Sequence, residues 1–313
     1  MDVKTAYRPP HQPLVPPGGV ECLWRDMTVI VSADVTLDRV QAKLAEQNQW
    51  LPIDGNPYVT VGQLVSINST GPLRLGYGAW RDLLLGAQFV NGRDELVTAG
   101  GRTVKNVAGY DLTKFMVGQR GVFGRLVTIT SRTYRKPAAA LLATFSANDA
   151  HIRRLMPSAC RPQWAVLTPD ALLCGYLSDE RTIQYYEGAL AEHGPTSVVR
   201  RSVEEDVAHR HQIWQVEGDF FRASVPPANV MQFTREASLT DWAADAAFGI
   251  VVARRTEGTE GRLFAAAKSA GGKVWFTEND GVPVYNAGPA EQALLRRLKL
   301  ASDPDGKLAP LGT

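Results

Sequence analysis

Between Gly100 and Thr130 the chain reads GGRTVKNVAGYDLTKFMVGQRGVFGRLVTIT. Glycines at 100, 101, 109, 118, 121 and 124 surround the pairs Lys105-Asn106 and Tyr110-Asp111. The stretch is neither low in complexity nor a phosphate loop. Glycines bunched around a short helix and then a strand let a main chain come close to another group, because no Cβ intervenes. The same glycines also suit tight turns that hold no ligand. Elsewhere the chemistry-bearing residues are sparse. His209 and His211 fall on the helical pattern VEEDVAHRHQIW, where residues two apart do not face each other, so a solvated pair is expected and no metal site. Glu204-Glu205 beside Asp206 reads as a solvated acidic face. His11, His151 and His193 stand alone, and no nucleophile-elbow motif occurs. Trp164, Trp214, Trp242 and Trp275 are scattered and read as core.

The elements that must position these residues follow from periodicity. MTVIVSA (27–33) is short and β-branched and predicts a strand. TLDRVQAKLAEQNQW follows, with Leu37, Val40 and Leu44 at helical spacing. Thr36 suits its N-cap, although Arg39 stands where a capping box needs Glu or Gln. RDLLLGAQFVNGRDELVTAGG predicts two strands joined at Asn91-Gly92. Asp111–Gly118 predicts a short helix capped by Asp111, with Leu112, Phe115 and Met116 on one face and Gly118 ending it left-handed. GRLVTITSRTY predicts the next strand. From Ala138 onward ordinary helix and strand alternation takes over: ERTIQYYEGALAEHG and EGRLFAAAKSAGG predict helices, FGIVVA and KVWF strands. The sequence contains no internal repeat.

The chain has 313 residues, enough for two domains or one large one. Its 34 basic and 32 acidic residues leave a net charge of +2, which argues against a nucleic-acid partner. Cys22, Cys160 and Cys174 are odd in number and widely spaced, so neither a disulfide framework nor a zinc or iron–sulfur site in this chain is expected. A cytoplasmic setting is the default for such cysteine usage. The Pro-rich start, residues 1–19, has no apolar run like a signal peptide's, and no stretch is long enough to span a bilayer.

The motifs in combination are more specific than the glycines alone. Gly71-Pro72, Gly78, Arg81-Asp82, Leu85-Gly86, Gly100-Gly101, Lys105-Asn106, Ala108-Gly109-Tyr110-Asp111-Leu112 and then Gly118, Gly121 and Gly124 keep the order and spacing of a known pattern. It resembles the PCMH-type FAD-binding domain of the vanillyl-alcohol oxidase superfamily, and within it the E subunit of bacterial glycolate oxidase. The resemblance is clear over residues 20–137 and weaker in the tail LKLASDPDGKLAPLG. It implies an α+β fold with three parts: an FAD-binding domain at 1–137, a cap-like α+β domain at 138–285, and a segment at 286–313 returning to the first. It implies non-covalent FAD, since none of the lone histidines stands at a covalent-flavin position. By carry-over, Gly62, Ser66, Asn68 and Gly71 face the cofactor, Gly78 and Asp82 shape the next turn, and Gly121, Gly124 and Leu126 lie along the adenine-ribose or ring side. Lys105, Asn106, Tyr110 and Asp111 hold a loop and a subunit contact.

The resemblance also implies a 2-hydroxy acid such as glycolate as substrate, oxidised in a complex with a larger FAD-containing catalytic subunit and an iron–sulfur subunit. The complex could bring a cytoplasmic chain to the periphery of the inner membrane. No catalytic residue is identified. The chain departs from the family pattern where Gln63 and Asp34 replace glycines and where Gly118-Gln119-Arg120-Gly121 replaces Gly-Ser-x-Gly. Ala309-Pro310-Leu311 stands for Asn-Pro-Gly, and the family's first subdomain, with its pyrophosphate loop, is expected to be largely missing. Two functions remain open: an FAD-dependent oxidoreductase subunit, or a non-catalytic scaffold subunit without FAD.

Overall fold

The computed structural model describes residues 12–101, 112–216, 218–277, 283–284 and 289–311. The chain forms two compact units, one of Met1–Thr70, Ala79–Lys136 and Asn286–Thr313, the other of Gly71–Gly78 and Pro137–Tyr285.

The first unit is built on a five-stranded sheet in the order β1-β2-β6-β4-β5: β1 Val20–Leu23, β2 Thr28–Ser32, β4 Leu84–Val90, β5 Leu96–Gly100 and β6 Arg125–Arg132. A small pair, β3 Gln49–Trp50 with β7 Tyr134–Arg135, stands beside it. All five residues of β2 are buried, as its β-branched run Thr-Val-Ile-Val-Ser suits. Helix α1 (Leu37–Ala45) buries Leu37, Val40 and Leu44, the predicted face. They share a core with Val29, Val31, Leu64, Val65, Trp80 and Ile129. Each such aliphatic side chain contributes about 1.5–3 kcal/mol by burial. Thr36 sits at the N-cap, but its hydroxyl bonds the Asp38 carboxylate and caps no backbone amide.

The strands β4 and β5 form the expected hairpin, with a different turn. Asn91–Glu95 make a five-residue loop closed by Asn91 N–H to Glu95 O (3.1 Å) and Asp94 N–H to Asn91 O (3.1 Å). Asp94, not Gly92, takes the left-handed conformation, at φ 61°. Gly92 is required for another reason: a Cβ there would lie 2.7 Å from that of Asp303.

In the second unit, α3 (Arg74–Tyr77) packs Leu75 into the core formed by residues beyond 138. Gly76 meets the Gln163 backbone so closely that a Cβ would come within 2.9 Å of its Cα. Arg74 Nε pairs with the Asp245 carboxylate at 2.9 Å. Residues 71–78 therefore belong with the second unit, where the sequence placed them in the first. The short helices α2 (Val61–Ser66), α4 (Trp80–Leu83) and α5 (Leu112–Phe115) belong to the first unit.

The rest of the second unit holds one nine-stranded antiparallel sheet. Its first half runs β8 (Ala139–Ser146), α6 (Asp149–Leu155), β9 (Trp164–Leu167), β10 (Ala171–Ser178), α7 (Glu180–Ala189), β11 (Ser197–Arg201). After α8 (Val203–Trp214) the second half runs β12 (Phe220–Ser224), α9 (Val230–Glu236), β13 (Ala243–Asp245), β14 (Ile250–Arg254), α10 (Glu260–Ser269), β15 (Lys273–Thr277). A short β16 (Pro283–Val284) pairs with β15. The strand order is β11-β8-β10-β9-β13-β14-β12-β15-β16. Each half is thus a β-α-β-β-α-β unit of ferredoxin-like order, and the two are joined edge to edge through β9 and β13. The topology repeats although the sequence does not. The last helix, α11 (Pro289–Ser302), belongs to the first unit.

Within α8, Glu204 and Glu205 are exposed, but Asp206 is not part of a solvated face. It is buried with Arg210, its ion-pair partner, and accepts from Trp164 Nε1 at 3.0 Å. His209 and His211 are likewise not a solvated pair: both are half-buried, and each Nε2 is shielded without a hydrogen-bond partner. Burial pulls the His209 imidazole below its ordinary value.

Candidate functional site: the Gly118–Gly124 loop

Helix α2 begins at Thr60, whose hydroxyl accepts from Gln63 N–H (3.3 Å), and ends in Ile67 and Asn68. Asn68 takes the left-handed conformation at φ 52°, a region that Asn tolerates better than most residues. The loop after α5 docks on this helix end. Gly118 N–H donates to Val65 O (3.0 Å) and Arg120 N–H to Ser66 O (2.9 Å). Gly118, Arg120 and Gly121 are all left-handed, at φ 82°, 55° and 79°. Glycine removes the Cβ strain at two of these positions, while Arg120 must be held there by its surroundings. Burial pulls the Arg120 guanidinium below its ordinary value.

Gln119 knits the loop from inside. It is 6% exposed, accepts from Phe123 N–H (3.0 Å) and donates to Gly124 O (2.9 Å). Its amide also reaches Ser66 Oγ at 3.5 Å. The backbone N–H groups of Gly118, Arg120, Val122 and Phe123 are thus all taken by the chain itself. Among the described residues of α2 and this loop, one side-chain polar atom is left over. Asn68 Oδ1 is buried without a partner, on the residue whose Cβ a side chain at Gly118 would meet at 3.3 Å. A buried acceptor lacking a donor costs about 1–3 kcal/mol until a water or a ligand group donates to it.

The sequence-predicted residues divide into those this loop brings together and those it does not. Ser66, Asn68 and Gly121 meet at the loop. Gly62 is a packing glycine: its N–H donates to Ala33 O (2.9 Å), and a Cβ would come within 2.6 Å of that oxygen. Gly124 also serves packing, since a Cβ would lie 2.6 Å from the Phe89 ring. Leu126 packs beside Phe89, Ala99 and Met116. Asp82 caps α4, its carboxylate accepting from Ala79 N–H at 2.9 Å. Gly71 and Gly78 lie in the other unit; Gly78 ends α3 at φ 88°. Lys105, Asn106, Ala108, Gly109, Tyr110 and Asp111 fall outside the described residues. Of the face predicted for α5, only Met116 is buried; Leu112 and Phe115 are exposed, and Thr113 takes the inner position.

Two features of this region escaped the sequence reading. One is Gln119, legible only as a departure from a family motif. The other is how the C-terminal segment, expected to return to this unit, is fastened to the loop. Lys299 donates to Asp303 Oδ2 (2.6 Å), Val122 O (2.9 Å) and Ala309 O (2.8 Å). Asp303 also accepts from Lys307 N–H (2.8 Å) and Leu308 N–H (3.0 Å). Lys299, together with these amides, holds the Asp303 carboxyl below the usual carboxylate range.

The second unit contributes a cavity of about 460 Å³ lined among others by Asp170, Gln212, Asp241, Trp242 and Arg254. No cluster of three metal-ligating side chains occurs among the described residues. No helix among them is long and apolar enough to cross a membrane.

Residues 20–100 match the family model described as FAD binding domain. Over those residues the chain is similar to FAD binding domains of the PCMH type. It is 27% identical over 304 residues to glycolate oxidase subunit GlcE of Escherichia coli, covering 91% of this chain and 81% of that protein. It is 30% identical to glycolate oxidase subunit GlcD of Bacillus subtilis over 42% of this chain and 32% of the relative. A mitochondrial D-lactate dehydrogenase [cytochrome] of Arabidopsis thaliana is 30% identical over 38% of this chain and 21% of its own length. Two crystal forms of alkyldihydroxyacetonephosphate synthase share the fold, with TM-scores of 0.64 and 0.68 at 13% identity, each over 91% of this chain. The chain spans about two thirds of their length, at 64% and 65%.

Proposed function

We propose that this chain is an FAD-binding subunit of a multi-subunit oxidoreductase that oxidises a 2-hydroxy acid such as glycolate. The observation that carries the reading is the unpaired Asn68 Oδ1 beside a loop of left-handed residues. Because the loop's amides are mostly spent within the chain, it suits the donor-bearing parts of FAD, the ribityl hydroxyls and ring N–H, better than the pyrophosphate. Ser66, Asn68, Gly118 and Gly121 would hold that part of the cofactor; the Gly71 and Gly78 segment and Asp82 are further candidates from the family pattern. Bound FAD supplies two-electron oxidation of a carbinol carbon to a carbonyl. What the chain itself contributes is a preset loop and a buried acceptor.

The same reading includes partners. A larger FAD-containing subunit and an iron–sulfur subunit would complete the complex. The chain would work in the cytoplasm, reaching the inner membrane only through that complex. The similarity to GlcE over 81% of its length supports this assignment. A second reading, a scaffold subunit that takes no FAD, is favoured by one observation: Gln119 consumes Phe123 N–H and Gly124 O, which a cofactor could otherwise meet.

Titration with FAD, read by flavin fluorescence, separates the two. Asn68→Gly removes the acceptor and keeps the left-handed backbone. The wild-type chain should bind FAD, and the variant about tenfold more weakly. Equal affinities would remove Asn68 from the site, and absence of binding to the chain alone and with its partners would favour the scaffold.

A further inference from the structure

We propose that the C-terminal segment from Lys299 to Ala309 is a clasp that sets the Gly118–Gly124 loop for the cofactor, with Lys299 and Asp303 as positioning residues. The proposal rests on the reading that this loop meets FAD.

The loop cannot hold its own shape cheaply. Three of four residues from Gly118 to Gly121 are left-handed, one of them an arginine. An L-residue with a side chain costs about 1–2 kcal/mol in that conformation, so the neighbouring structure must impose it. Helix α2 holds one side, through Val65 O and Ser66 O. The clasp holds the other. An ammonium group has three donors, and all three of Lys299 are used, on Asp303, Val122 O and Ala309 O. Two of those acceptors are backbone carbonyls far apart in sequence, one in the loop and one in the tail. Lys299 therefore ties tail to loop through a side chain only 14% exposed, paired with a carboxylate that is fully buried.

The other end of the tie is equally fixed. Asp303 folds the tail back by accepting from the amides of Lys307 and Leu308. Ala309 N–H then reaches Gly121 O at 3.3 Å, on the residue before Val122. Gly92 N–H donates to Ser302 O (3.0 Å), anchoring the clasp on the β4–β5 hairpin, and the absence of a Cβ at Gly92 leaves room for Asp303. Lys307 pairs with Asp94 in the same hairpin loop. The three acceptors surround a single nitrogen, which an ammonium with its three donors matches and a guanidinium, whose five donors spread over one plane, does not.

The test uses the full chain and its variants. Lys299→Met removes the donors, Asp303→Asn keeps the shape without the charge, and Arg296→Met changes an exposed residue on the same helix. Amide hydrogen exchange at residues 118–124 and FAD affinity are measured together, along with the shape of the bound flavin's visible absorption band. Lys299→Met should speed exchange of the Val122 and Phe123 amides at least tenfold. It should leave exchange in the second unit unchanged, weaken FAD at least tenfold and alter the absorption band. Arg296→Met should do none of these, and Lys299→Arg should not restore the wild-type values. Asp303→Asn should move the same readouts in the same direction, and it decides the matter if Lys299→Met does not fold. Unchanged loop exchange in Lys299→Met, or in Asp303→Asn where that variant decides, overturns the clasp. Faster loop exchange with unchanged FAD affinity overturns the positioning role. A wild-type chain that takes no FAD overturns the cofactor half, while the exchange data still decide whether the clasp exists.

Discussion

The Arg74–Asp245 pair makes the stability of the second unit depend on pH in a direction opposite to that of most carboxylates. Asp245 is 1% exposed on β13, next to the junction of the two sheet halves. Burial pushes its carboxyl from 3.8 up to about 6, against the pull of Arg74 and of the Phe248 and Ala247 amides. A carboxyl raised on folding binds its proton more tightly in the native state than in the unfolded chain. Its contribution is therefore fully present below about pH 4 and is lost as pH rises through about 6. A rise of about two units, at ~1.36 kcal/mol each, amounts to about 3 kcal/mol. His151 and His209, both held below their ordinary value by burial, act in the opposite sense near pH 6. The difference between wild type and Asp245→Asn isolates the aspartate, because both chains carry the same histidines. The assay is urea unfolding of both proteins at intervals from pH 4.5 to 7.5, followed by tryptophan fluorescence. Relative to Asp245→Asn, wild type should lose about 2 kcal/mol of stability across that range. Parallel pH dependences, within about 0.5 kcal/mol, would refute the claim that burial dominates at Asp245.

Gly124→Val should lower stability by about 1–3 kcal/mol, because its side chain must displace the Phe89 ring; thermal unfolding checks this, and it makes the variant a poor probe of cofactor contact. Asp206→Ala should cost about 3–5 kcal/mol by leaving Arg210 buried without its carboxylate and Trp164 Nε1 without its acceptor, read by denaturant unfolding. Asn68→Gly should leave the melting temperature within a few degrees of wild type while weakening FAD about tenfold.

Local signals carried the sequence reading where the decisive contacts were also local. Strand β2 and the buried face of α1 follow from β-branched residues and from the spacing of Leu37, Val40 and Leu44. The hairpin was legible, yet its turn was not. Asn91-Gly92 looks like a two-residue turn, whereas Gly92 is small because Asp303, more than two hundred residues on, sits against it. Glu204 and Glu205 are exposed as expected, but nothing local sets Asp206 apart from them; its partner Trp164 lies in a strand that no local pattern connects to it. Residues 71–78 carry a family motif that runs on into Arg81-Asp82 and Leu85-Gly86, and nothing local says that Leu75 and Arg74 pack into the other unit. The doubled β-α-β-β-α-β topology left no trace because only backbone order repeats. At the candidate site, the glycines were visible but their reasons were not: Gly62 and Gly124 answer to Ala33 and Phe89, while Gly118 and Gly121 answer to backbone conformation.

We propose that flavin is held at the loop between Asn68 and Gly121. The most direct test of this proposal is the visible absorption spectrum and flavin-to-chain ratio of the protein purified with its native partners, compared with the same complex carrying Asn68→Gly. The wild-type complex should show a flavin band, and the variant a measurable loss of flavin from this chain's site. A complex whose flavin content is untouched by the substitution, or one with no flavin attributable to this chain, would contradict it.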